Sequence, residues 1–140
     1  MLTPFCRSLT GIQQADIDAA PGWPAVAADL AAFAQLHAGQ CWGSWGNYDR
    51  RQIERECRMH GLTDPLAGLH HINLKADFAK ARKIKQVGMA TALKIVGLTL
   101  EGEHHRALSD AINIVRLLQV GALGAGAATG AKNARVQRRV

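Results

Sequence analysis

The sequence predicts an α/β domain that is mostly helical, with about two short strands. Helix-period apolar segments alternate with two brief stretches, "QCWGSWG" and "AGLHHINLK", whose aromatic, β-branched and glycine residues suit strands. With 140 residues, 48% of them apolar and 20% charged, the chain can build one domain with a real core. No apolar run reaches the roughly eighteen residues a membrane span needs. "MLTPFCRSLTG" has no basic segment followed by a long apolar one, so no signal peptide is read and a cytoplasmic protein is expected.

Each element has its own local argument. "LTGIQQADIDAA" reads as one short helix, with Thr10 as N-cap and Ile12, Ala15 and Ala19 on a buried face. "PGWP" breaks it, and Pro24 suits the first turn of a longer alanine-rich helix closed by Gly39. A strand is expected around residues 40 to 45, with Trp42 and Trp45 both facing one side as core. Asp49 then opens a helix running to about His60, with Gln52 placed for a capping box. "GLTDP" is a turn, in which Asp64 precedes Pro65. After the second strand, helices are expected over 75–84 and 88–96, the second ended by Gly97. "TLEGEHH" is a loop. The last helix, 106–119, would turn Leu108, Ala111, Ile112, Val115 and Leu118 inward. From residue 120 small residues and cations leave little to bury, so a flexible basic tail is expected over 120–140 after a domain spanning 1–119.

The charge is uneven. Of the net +6, Lys132, Arg135, Arg138 and Arg139 supply four charges, leaving thirteen cations against eleven acids in the body. A second cluster, Lys75, Lys80, Arg82, Lys83, Lys85 and Lys94, is opposed by Asp77 and is read either as a phosphate-attracting surface or as a solvated helix face. Cys6, Cys41 and Cys57 are odd in number and widely spaced, which favours reduced thiols over a disulfide framework. Cys57, His60, His70 and His71 offer zinc-ligand types, but no second paired-cysteine motif joins them.

"HHRALSDAINIV" carries the strongest chemistry. Five residues separate His105 from Asp110, about 140° of helical rotation, so the two share no face of a regular helix. They converge if His105 lies in the loop before the helix and Asp110 in its first turns. An imidazole near a helix N-terminus is kept neutral by the dipole, which suits a general base. A carboxylate on a rigid helix suits a divalent cation.

"HHRALSDAINIVRLL" resembles the third motif of the DEDDh 3′-5′ exonucleases, His-x-x-x-x-Asp opening a helix. "CWGSWGNYDRRQIERECRMHGL" resembles the family's second motif, a strand ending in Trp-Gly before a metal-binding aspartate. "INLKADFAKARKIKQVGMATALKIVGLTLEGEHHR" is similar to the stretch between motifs in the subgroup of the histone-mRNA 3′-end exonuclease, and "LTPFCRSLTGIQQADIDAA" to the segment before the central strands. The resemblance implies a ribonuclease-H-like exonuclease fold and a two-metal mechanism with Mg2+ or Mn2+. It assigns Asp49 and Asp110 as metal ligands and His105 as general base. Trp45 and Tyr48 become candidates to stack a base or ribose, and His104 to support them. The implied substrate is a single-stranded 3′ end of RNA or DNA.

The pattern departs from the family in one respect. The family's first motif, Asp-x-Glu on an early strand, has no counterpart in the 140 residues. The chain is therefore expected to be the C-terminal part of such a domain, truncated at the N-terminus. Two divalent cations would outweigh the charge of Asp49 and Asp110, so the metal site is expected to be incomplete. Apolar faces carrying Ile12, Phe33 and Ile112 are expected to be exposed unless a homo-oligomer covers them. The alternative reading is a non-catalytic remnant that binds nucleic acid or a partner chain. Taken singly, Asp49 also reads as an N-cap, Asp110 as a dipole complement and His105 as an ordinary loop residue.

Overall fold

The computed structural model describes residues 1–103 and 105–123. Its central unit is β1 (Cys41–Ser44), α4 (Tyr48–His60) and β2 (His70–Asn73). The strands pair in parallel, Cys41 opposite His70 through Ser44 opposite Asn73. Parallel neighbours need a crossover, and α4 supplies it. Before it come α1 (Pro4–Thr10), α2 (Gln14–Asp18) and α3 (Trp23–Leu36); after it come α5 (Leu74–Arg82), α6 (Met89–Ile95) and α7 (Ala107–Gln119).

The first expected helix is in fact two. Thr3 caps α1, its Oγ1 accepting from Cys6 N at 3.2 Å, and Thr10 ends that helix rather than opening one. Gly11 adopts φ 69°, a left-handed conformation that glycine supplies without strain, and so stops α1. Gln13 N then donates to the Asp16 carboxylate at 2.8 Å to start α2. Pro24 sits in the first turn of α3 as expected, but α3 stops at Leu36, and Gly39 belongs to the turn that follows. Asn47, not Asp49, occupies the N-cap of α4, and Gln52 bonds Glu56 at 2.7 Å instead of closing a capping box. Asp64 behaves as a turn residue, accepting from Leu66 N at 2.8 Å.

The core lies between the sheet and α5 to α7. Leu74, Phe78, Met89, Ala92, Leu93 and Leu117 form it, with Trp45 and Ile72 packed alongside. Trp42 and Trp45 do not share a face. They stand three positions apart, so strand alternation separates them: Trp42 lies 4.4 Å from the His71 ring and Trp45 lies 5.7 Å from the Phe78 ring. The core also reaches past the expected domain end, since Ala122 and Leu123 are buried in it. Residues 124–140 of the expected tail lie outside the described residues.

The inner face of α7 differs most from expectation. Leu108 is 75% exposed, and Ile112 and Val115 are also exposed, whereas Asn113 and Leu117 are buried. The helix carries two apolar stripes, and periodicity could not say which one meets the core. Packing chose the stripe flanking Asn113, whose amide finds partners there. Phe33 is exposed, as expected, while Ile12 is half-buried.

Candidate active site

The turn from β1 to α4 places the second-motif residues. Gly46 takes φ 114°, open to glycine alone without strain, and this folds the chain sharply between the strand and the helix. Ser44 braces the turn, its hydroxyl donating to Gly46 O at 2.9 Å. That proton is committed, so His71 Nε2, 2.8 Å from Ser44 Oγ, is the donor in their bond and Nδ1 is left as an acceptor. Burial pushes the His71 imidazole below its ordinary value, and the Arg50 guanidinium adds to this, while the Asp49 and Glu54 carboxylates oppose it.

Asp49 stands exposed in the first turn of α4, its carboxylate facing solvent. A carboxylate there gains from the helix dipole whether or not it binds anything. Tyr48 is 76% exposed beside it, with its ring open to solvent. Trp45 is different: its indole N–H donates to Val87 O at 3.0 Å and its ring packs on Phe78, so its ring is engaged in the core. Lys75, in the first turn of α5, approaches Gly46 at the carboxyl ends of both strands. That is the edge where parallel sheets present their ligand-binding loops. The remaining cations of the cluster are exposed, and Arg82 lies 5.5 Å over the Phe78 ring.

The third motif lies at the start of α7. Asp110 is half-buried in the first turn, with its amide bonded to Arg106 O at 2.9 Å. His105 precedes the helix, exposed, with φ 66°. A non-glycine residue in that region costs on the order of 1–3 kcal/mol and persists only where its surroundings impose it. The loop placement of His105 and the helical placement of Asp110 thus follow the sequence reading. His104 lies outside the described residues.

Among the described residues no three His, Cys, Asp or Glu side chains gather closely enough to hold a metal ion. Asp49, Asp110 and His105 therefore form no metal-binding trio, and neither do Cys57, His60, His70 and His71. The thiol of buried Cys57 points to Thr63 O at 3.7 Å, and all three cysteines are free. Two carboxylates do not fit a pair of divalent ions.

The role of His71 escaped the sequence reading, which weighed it only as a zinc ligand. Strand alternation was the available signal, because it puts His71 and Ser44 on the same face of the sheet once the strands are paired in this register.

Residues 1–118 match the family model RNase T, described as exonuclease. The chain belongs to this exonuclease family. Among curated relatives, mouse 3′-5′ exoribonuclease 1 is 27% identical over 124 residues, which is 83% of this chain and 36% of the relative. The human protein of the same name is 28% identical over 126 residues, again 83% of this chain and 36% of the relative. The chain thus spans about a third of the length of the curated relatives it matches. A solved nuclease domain of 3′hExo, a DEDDh family member bound to rAMP, superposes with a TM-score of 0.76 at 27% identity. That match covers 89% of this chain and 68% of the other.

The chain accordingly has the ribonuclease-H-like fold of the DEDDh exonuclease family. The chemistry of that family uses divalent metal ions. The second-motif turn and the third-motif helix described above are the parts of the fold this chain supplies.

Proposed function

We propose that this chain forms part of a cytoplasmic 3′-5′ exonuclease that removes nucleotides from single-stranded 3′ ends, with RNA favoured over DNA. The supporting observation is the superposition at a TM-score of 0.76 on a nuclease domain bound to rAMP. The preference for RNA rests on the names of the relatives, which are exoribonucleases. In this reading water attacks the terminal phosphorus, the 3′ oxygen of the preceding nucleotide leaves, and His105 takes the proton of the water. Tyr48 stacks on the terminal base. Trp45 supports the turn from within the core, and His104 assists in holding the substrate. Asp49 and Asp110 are the carboxylates this chain contributes towards Mg2+ or Mn2+. They do not suffice for two ions.

The test is trimming of a 5′-labelled RNA oligonucleotide by the chain with Mg2+ or Mn2+. Weak or no trimming is expected from the chain alone, and chelator-sensitive trimming is expected when further carboxylates complete the site. Robust trimming that survives both chelator and His105→Ala would overturn the reading.

A second reading is favoured by the lack of a metal-binding trio among the described residues: a non-catalytic remnant that binds nucleic acid or a partner chain. Tight, salt-sensitive binding of single-stranded RNA without trimming under any metal would support it. In both readings the exposed stripe of α7 is covered by association of copies, and light scattering of the chain tests this.

A further inference from the structure

Asn113 is fully buried in α7, and every hydrogen-bonding position of its side chain is used. Its Oδ1 accepts from Glu101 N at 3.0 Å and from Arg116 Nη1 at 2.9 Å. Its Nδ2 donates to Glu101 O and to Ser109 O, both at 2.8 Å. An amide offers two donor hydrogens and two lone pairs, so nothing is left unpaired. Burying such a group is costly without partners, and a leucine would have packed here at no such cost. What the asparagine adds is a grip on both backbone groups of Glu101.

Neighbouring contacts tighten that grip. Arg116 donates to Thr99 O at 2.7 Å and pairs with the Glu101 carboxylate at 3.1 Å. Gly102 takes φ 72°, and a Cβ there would stand 2.6 Å from Ser109 Oγ, so the loop lies flush on α7. His105 comes four residues after Glu101, on a tether of about 14 Å at full extension. It sits in the left-handed region that its neighbours must enforce.

We propose that Asn113 is a positioning residue. It buckles the loop over residues 99–103 onto α7 and so presents His105 at the N-terminal end of the helix whose first turn carries Asp110. The work ascribed to His105 rests on the function proposed above; the buckle itself does not.

The test uses the full chain, 15N-labelled, with the His105 imidazole signals assigned by His105→Gln. Asn113→Ala is expected to speed amide exchange over residues 99–103 by about tenfold or more and to shift the His105 signals, with those of His37 on α3 unmoved. A folded Asn113→Ala chain with unchanged loop exchange, or with only a lower Tm and unshifted His105 signals, would overturn the proposal. Should Asn113→Ala fail to fold, Gly102→Ala lifts the same loop while Asn113 stays in place. It must shift His105 in the same way, and an unmoved His105 there also overturns the proposal. If the loop responds as expected but metal-dependent trimming survives His105→Ala, the buckle stands and the general-base role given to His105 falls.

Discussion

Ser44 Oγ and His71 Nε2 lie 2.8 Å apart across the paired strands, and the same hydroxyl donates to Gly46 O at 2.9 Å. One hydroxyl, accepting from His71 and donating to Gly46, thus couples the second strand to the turn that sets Asp49. Ser44→Ala removes both bonds. It is expected to lower stability by about 1–2 kcal/mol and to loosen the turn, read as an earlier urea midpoint and faster exchange at Gly46. An unchanged midpoint would show that the contact carries no load.

The pH dependence of stability follows from the same pair. Burial first, then Arg50, lowers the His71 pKa below its usual 6.5. The unfolded chain therefore takes up this proton before the folded chain does. The stabilising contribution is complete above about pH 6.5 and is lost as pH falls through the lower folded value. The urea midpoint is expected to drop between about pH 7.5 and pH 5, and His71→Gln is expected to flatten that drop. Equal slopes in both proteins would contradict this.

Gly43 tests the packing of the sheet on the core. A Cβ at this position would lie 2.8 Å from Leu74 Cδ1, and Leu74 is buried. Gly43→Ala is expected to cost about 1–3 kcal/mol through overpacking, and Leu74→Ala introduced with it should recover part of that loss. Denaturation of the two single variants and the double variant measures the coupling.

The exposed stripe on α7 separates monomer stability from association. Ile112 and Val115 are exposed, so Ile112→Glu is expected to change the unfolding free energy of the monomer by no more than about 0.5 kcal/mol. The same change should shift any self-associated species to monomer in light scattering. Leu117→Ala, five residues on in sequence, removes a fully buried side chain and is expected to cost about 2–5 kcal/mol.

Where further carboxylates complete the site and the chain trims, His105→Ala should reduce that trimming by about 100-fold or more, the usual scale for a lost general base. His71→Gln should leave it within about tenfold, since His71 is engaged with Ser44. Comparable losses in both variants would move the proton-transfer role away from His105.

Local chemistry made much of the architecture legible. Pro24 and Gly97 mark ends that follow from fixed or left-handed φ, and the strands at 41–44 and 70–73 follow from composition between turn signals. The order of motifs was enough for the family, because residue types at set spacings survive without coordinates. Three matters were decided by tertiary structure. Which apolar stripe of α7 turns inward depended on where the amide of Asn113 could be satisfied. The partner of His71 depended on strand register, which brings it against Ser44, twenty-seven residues away in sequence. How Asp49, Asp110 and His105 stand to one another depended on distances between separate elements, and among the described residues no three His, Cys, Asp or Glu side chains gather around one point. Periodicity reports the faces an element owns, while the choice among them belongs to the energy of the whole packed chain.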